Sequence, residues 1–122
     1  MIAAFHLIAY NHSLTSLHVS CSSFNADLAN SLYRCIITRA KLYKNDSSGV
    51  IKGLKSLSFV KCGINDEYMV KISPALWATT TLTSLNLSYN SLSDEGLTTL
   101  SYLKGIDVRV IQLPNYRQLG ID

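Results

Sequence analysis

Three histidines and three cysteines are the side chains best suited to nucleophilic or metal chemistry in this 122-residue chain. His6, His12 and His18 recur at intervals of six. That spacing does not bring ligands onto one face of a helix, where neighbours lie three or four apart. Cys21 follows His18 by three residues, which puts the two on opposite faces of a regular strand, so a Cys–His nucleophile pair is not expected. Cys35 reads as a core residue of a helix and Cys62 as a turn residue. The cysteine count is odd and no C-x-x-C occurs, which argues against a disulfide framework or a zinc knuckle and for buried thiols in a reducing compartment. Two acidic pairs, Asp66-Glu67 and Asp94-Glu95, invite comparison with catalytic carboxylates. Acids at a helix start are the more ordinary reading. No phosphate-binding glycine loop, dinucleotide fingerprint or H-E-x-x-H occurs. The chain is expected to be no enzyme and to hold no metal or cofactor.

Composition narrows the class further. Hydrophobic residues make up 48 % of the chain, enough for a folded core. No apolar run reaches the roughly 20 residues of a bilayer-spanning helix, so no membrane span is expected. The opening MIAAFHLIAY lacks the basic start and small-residue cleavage site of a secretory signal, and the expected compartment is the cytoplasm. The net charge of +3 does not call for nucleic acid. Charge is uneven, however. Seven basic residues lie between Arg34 and Lys61 (Arg34, Arg39, Lys41, Lys44, Lys52, Lys55 and Lys61) against the single acid Asp46. They form either a solvated surface or a contact for an acidic partner.

The elements that position these residues come from an internal repeat. Displaced by 28 residues, Leu54-Lys-Ser-Leu57-Ser-Phe59-Val-Lys-Cys62-Gly-Ile64-Asn-Asp-Glu-Tyr-Met69 falls on Leu82-Thr-Ser-Leu85-Asn-Leu87-Ser-Tyr-Asn90-Ser-Leu92-Ser-Asp-Glu-Gly-Leu97. Every apolar anchor meets an apolar anchor. An earlier copy runs from Leu14 through Leu17, Val19, Ser22 and Phe24, and a weaker one from Leu103 through Ile106, Val108, Ile111 and Leu113. The copies begin 40, 28 and 21 residues apart. The first gap therefore carries an insertion, assigned to a loop over residues 41–53, and the last gap is shortened.

The pattern has a physical reading. In L-x-x-L-x-L the last two leucines alternate at period two, so one face of a short strand points inward. Asn90 then sits where the chain leaves the strand, and its amide can satisfy turn groups left unpaired. Cys62 and Ser22 hold the same structural turn position with weaker groups; Ile111 cannot serve there. A helix follows each turn. Asn25, Asn65 and Ser93 stand as N-caps, and Leu28, Leu32, Cys35 and Ile36 line one helical face. Pro74 is expected to break the third helix, with Ser73-Pro74 starting a second turn that carries Leu76 and Trp77.

These copies resemble the leucine-rich-repeat family, in particular its ribonuclease-inhibitor-like class, with Asn or Cys at the ninth position and a true helix in each unit. The resemblance covers residues 14–113. It implies an α/β solenoid, a right-handed βα superhelix of about four repeats, with a short parallel sheet on the concave side and helices on the convex side. The expected layout is one domain over residues 1–122. A cap over 1–13 uses Ile2, Phe5, Ile8 and Ala9; repeats lie near 14–40, 54–81, 82–102 and 103–113; a tail over 114–122 covers the last edge.

The resemblance also implies protein binding on the concave face. Strand alternation assigns four outward rows: Ser16, His18 and Ser20; Ser56, Ser58 and Val60; Ser84, Asn86 and Ser88; Gly105, Asp107 and Arg109. Within them and their rim, His18, Ser58, Lys61, Asn86, Tyr89, Asp107 and Arg109 are the expected partner-contacting residues. The face is small, roughly 320 Å², against about 800 Å² per side for a stable complex. A non-catalytic protein-interaction or scaffold module is the leading expectation. A regulator of a small GTPase or other small enzyme, and a fragment of a longer repeat protein, are the alternatives.

Overall fold

The computed structural model describes residues 1–20 and 23–112 of the chain. Four strands, β1 (Ser16–His18), β2 (Ser56–Ser58), β3 (Ser84–Asn86) and β4 (Asp107–Arg109), form one parallel sheet in chain order. Each strand is followed or preceded by a helix: α1 (Ile2–Ala9), α2 (Ala26–Asn45), α3 (Asp66–Ala78) and α4 (Asp94–Thr99), the last running into a 3₁₀ turn at Leu100–Tyr102. Consecutive helices pack on one another as a second layer. This is an open α/β solenoid, as the repeat requires.

Register follows the sequence displacement of 40 and 28 residues over the first three strands, but the last strand pairs at a displacement of 23 and not 21, so that Val108 and not Ile106 stands beside Leu85. Leu17 pairs with Leu57, Leu57 with Leu85 and Leu85 with Val108. Leu54, Leu57, Phe59, Cys62 and Ile64 are buried, and so are Leu82, Leu85, Leu87, Asn90 and Leu92, their partners one rung later. Burial is thus shared between neighbouring repeats, which is why a single strand–helix unit could not stand alone.

The helices show where local sequence and packing agree. Asn25 caps α2 by accepting the Leu28 N–H at 2.8 Å, and Asn65 caps α3 by accepting the Tyr68 N–H at 3.0 Å. Ala29, Leu32, Cys35, Ile36 and Arg39 form the buried face of α2.

Four expectations need correction. First, α2 continues to Asn45, so residues 41–45 of the expected loop are helical. Nothing in Lys41-Leu-Tyr-Lys44 stops a helix; the break comes at Asp46. Its carboxylate accepts the Ser48 N–H at 3.1 Å, the Ser48 hydroxyl at 2.6 Å and the Ile51 N–H at 2.9 Å. The extra length of the first gap therefore goes mostly into helix. Second, α3 runs through Pro74. Pro74 lies on the exposed side, where water can reach the carbonyl it leaves unbonded, while Ile72, Ala75 and Leu76 are buried. Third, Ile2 does not join Phe5 and Ala9 in the N-terminal packing; it is exposed on α1. Fourth, Ser93 holds the N-cap position of α4 as expected, but its side chain makes no capping hydrogen bond there. The tail expected over 114–122 lies outside the described residues.

Candidate functional site

The three-residue strands place two rows of side chains on the solvent side of the sheet. One row is Ser16, Ser56, Ser84 and Asp107; the other is His18, Ser58, Asn86 and Arg109. Neighbours along a row are one strand spacing apart, about 4.8 Å. Ser56 and Ser84 share a hydroxyl–hydroxyl hydrogen bond of 3.0 Å. A shallow groove of about 230 Å³ runs along these rows from Ser56 and Ser58 to Asp107 and Arg109. His18 and Arg109, at opposite ends, are exposed; Ser58 and Asn86, in the middle, are partly covered.

Ser88 does not continue the outward row. It is buried, and its hydroxyl accepts the Ile111 N–H at 3.1 Å. The strand ends at Asn86, so the alternation that would turn Ser88 outward ends with it. The Asn86 side chain accepts the Ser88 N–H at 3.0 Å and fixes that departure.

The rim residues share an unusual backbone. Lys61 and Tyr89 occupy equivalent places in successive repeats, and both lie in the left-handed region, with φ of 57° and 61°. Neither is glycine, so each carries a local cost of about 1–2 kcal/mol. Both side chains point to solvent, with Tyr89 45 % exposed.

Behind the rim runs a polar spine that holds the turns together. Asn90 Oδ1 accepts the N–H groups of Cys62 and Ile64, each at 3.0 Å. Asn90 Nδ2 donates to the Phe59 carbonyl at 2.7 Å and the Leu87 carbonyl at 2.9 Å. One rung earlier, the Cys62 thiol donates to the Val19 carbonyl at 3.3 Å, the counterpart of the bond from Asn90 to Phe59. Ser22, expected in the same role in the first repeat, lies outside the described residues. In the last repeat Ile111 is exposed, and the spine is continued by Gln112, whose amide takes both the N–H and the carbonyl of Leu92.

The groups that looked chemically suggestive have structural settings. His6 stacks edge-on against Tyr10 on α1, His12 follows that helix, and His18 lies on β1; the three do not converge. Among the described residues no group of three or more His, Cys, Asp or Glu could hold a metal ion. Burial pushes the Cys35 thiol up to about 11, against the opposing pull of the Arg39 charge, so at neutral pH it is not a thiolate nucleophile. Cys21 lies outside the described residues. The Asp66 carboxylate accepts the Ser93 hydroxyl, the Ser93 N–H at 2.9 Å and the Gly96 N–H at 3.0 Å. Those bonds hold it below the usual carboxylate range. Asp66 thus caps the helix of the next repeat, and the absence of a Cβ at Gly96 is what leaves room for it.

The basic stretch does not form a single patch. Arg39 is buried, with Nη2 donating to the carbonyls of Leu14 and Lys52. Lys61 stands at the sheet rim. Lys41 and Lys44 line a separate open groove of about 760 Å³, bounded by Tyr43, Ile51 and Thr80 at the ends of α2 and α3.

Residues 79–101 match the family model described as a leucine rich repeat. That match and the four-stranded parallel sheet support a leucine-rich-repeat fold. The matched segment contains β3, the Asn90 turn and α4, the repeat in which Leu82, Leu85, Leu87, Asn90 and Leu92 are all present. No curated protein is significantly similar to the chain. Leucine-rich repeats are in general an interaction fold and not a catalytic one, and among the described residues no helix is long and apolar enough to cross a membrane.

Sequence reasoning about the repeats missed Gln112, Arg39 and the cross-repeat role of Asp66. Gln112 is displaced one place from the ninth position, and its longer side chain makes up the difference. The repetition of Asp66 at Asp94 was visible, but a capping bond to a helix 27 residues later was not.

Proposed function

We propose that this chain is a non-catalytic binding module of leucine-rich-repeat fold that takes a protein partner on the concave sheet face and its rim. The observation that carries the reading is the in-register row His18, Ser58, Asn86 and Arg109, flanked by the left-handed, outward-facing Lys61 and Tyr89. Small polar side chains in the middle of the face let a partner backbone approach closely. The large or charged groups that favour hot spots stand at its border: Lys61, Tyr89, Asp107 and Arg109. The helices α2 and α3 support the ribonuclease-inhibitor-like class, and the buried Cys35 thiol fits a reducing compartment such as the cytoplasm.

A photo-crosslinking residue at position 86, and separately at position 44, tests the reading in cells. A discrete protein adduct from position 86, weakened by Tyr89→Ala, is the expected result. An adduct from position 44 alone moves the site to the α2–α3 groove. That second reading is favoured by the groove's larger volume and by Lys41 and Lys44 on its border.

A further inference from the structure

Strand β4, the last among the described residues, has pairing capacity that no described residue uses. The Asp107 N–H donates to the Thr83 carbonyl, and the Arg109 and Ile111 carbonyls accept from Leu87 and Tyr89. Odd-numbered residues of β4 therefore turn their main-chain groups towards β3. By the alternation of a parallel strand, Ile106, Val108 and Val110 turn theirs the other way, to an edge with no further strand among the described residues. At the same end the apolar rung is incompletely covered. Leu17, Leu57 and Leu85 are buried along their rung, whereas Val108 is only partly so, and Ile111 is 52 % exposed.

We propose that two copies of the chain associate through this edge, with β4 pairing antiparallel to β4 of the second copy about a two-fold axis at Val108. The sequence of β4 is self-complementary in that arrangement. Val108 faces its own counterpart and exchanges both main-chain hydrogen bonds with it, since its N–H and carbonyl are the ones that point outward. Asp107 then stands opposite Arg109 of the second copy, and Arg109 opposite Asp107. These are the non-hydrogen-bonded positions of an antiparallel ladder, where facing side chains come closest. Both side chains are exposed, on the solvent face of the sheet. Within one copy they do not pair with each other among the described residues. An isologous contact of this kind closes after two copies. The opposite edge of the sheet has no such match: β1 presents Ser16 and His18, and α1 already buries Phe5 and Ala9 at that end. The association joins two four-stranded sheets with their concave faces on one side. It stands independently of the partner-binding reading, because it needs no other protein.

The test is the mass of the full chain in solution, by sedimentation velocity or light scattering over a range of concentrations. The expected result is a concentration-dependent dimer that weakens at high salt. Arg109→Asp places acid opposite acid, and Asp107→Arg places base opposite base, so each variant alone is expected to be monomeric with an unchanged circular dichroism spectrum. Mixed in equal amounts, the two variants restore complementarity and recover the dimer, and the double exchange D107R with R109D dimerises by itself. A parent chain that stays monomeric at every concentration overturns the proposal. So does a single variant that dimerises as tightly as the parent, or a mixture that recovers nothing.

Discussion

The side-chain amide of Gln112 closes on the main chain of Leu92, with Oε1 accepting its N–H at 2.7 Å and Nε2 donating to its carbonyl at 2.8 Å. Asn90 Oδ1 makes the equivalent bond to the Ile64 N–H one repeat earlier. The two amides differ in load. Asn90 satisfies two N–H groups and two carbonyls at 3.0 Å or less, all in a buried turn, so Asn90→Ala strands four main-chain groups. At about 1–3 kcal/mol for each unsatisfied group, less what the turn recovers by relaxing, the loss is about 3–5 kcal/mol. Gln112→Ala strands two groups near the end of the sheet and costs about 1–3 kcal/mol. Urea unfolding of the two variants checks the order; equal losses would mean that the spine does not share load in this way.

Acid sensitivity follows from two carboxylates. Asp46 is lowered from 3.8 to about 2, first by the Ser48 hydroxyl and then by the N–H groups of Ile51 and Ser48. Asp66 is lowered by the Ser93 hydroxyl and N–H. A carboxyl depressed in the folded state contributes stability that is present above its unfolded value and is lost as pH falls through its folded one. The expected fall in melting temperature therefore lies between about pH 4 and pH 2. Asp66→Asn should flatten that part of the profile while lowering stability at neutral pH, because the amide retains one acceptor where the carboxylate uses two oxygens. A profile as steep as the parent's would remove Asp66 as a source.

Much of the fold could be read from the chain because repetition does the work of comparison. Leu54 to Met69 laid on Leu82 to Leu97 determines strand, turn and helix start at once. Where the copies diverge, legibility drops. The 40-residue first gap looked like a loop because Asp46 to Gly49 is rich in turn formers, yet the helix before it has no stop signal until that point. Pro74 looked like a break because the side on which it falls depends on tertiary packing. The outward rows of the sheet followed from alternation up to Asn86 and failed at Ser88, where the strand had already ended. Arg39, counted with the surface cations, is the residue least visible in advance. Its place on the buried face of α2 follows from periodicity with Leu32 and Cys35, but charge argued the other way.

Arg39 gives the next prediction. One of its terminal nitrogens joins the Leu14 and Lys52 carbonyls, while Nε and Nη1 are buried without a hydrogen-bond partner among the described residues. Burial also pulls its pKa below the ordinary arginine value. Such a group both occupies volume and carries a desolvation cost, and the two can be separated by substitution. Arg39→Met fills the space without the charge and should change stability by less than about 1 kcal/mol. Arg39→Ala leaves a cavity and should cost about 3 kcal/mol or more. If methionine proves as damaging as alanine, the tie between the Leu14 and Lys52 segments outweighs the packing.

Tyr89 separates strain from recognition. Its φ of 61° is a conformation that glycine adopts freely and that a bulky side chain does not, while its ring is turned to solvent at the sheet rim. Alanine keeps the left-handed cost and removes the ring; glycine removes both. Tyr89→Ala should therefore leave thermal stability close to the parent, and Tyr89→Gly should raise it by up to about 1 kcal/mol. On the proposed partner both variants should bind more weakly by a similar amount, about 1–2 kcal/mol or more, as truncation of a hot-spot tyrosine does. Ser58→Ala, in the middle of the same face, should be nearly silent in both measurements. The comparison is decisive because stability and affinity are expected to move in opposite directions for glycine. Should Tyr89→Gly be more stable and bind as tightly as the parent, the left-handed turn has no part in recognition. The site must then be sought in the groove bounded by Lys41, Tyr43 and Lys44.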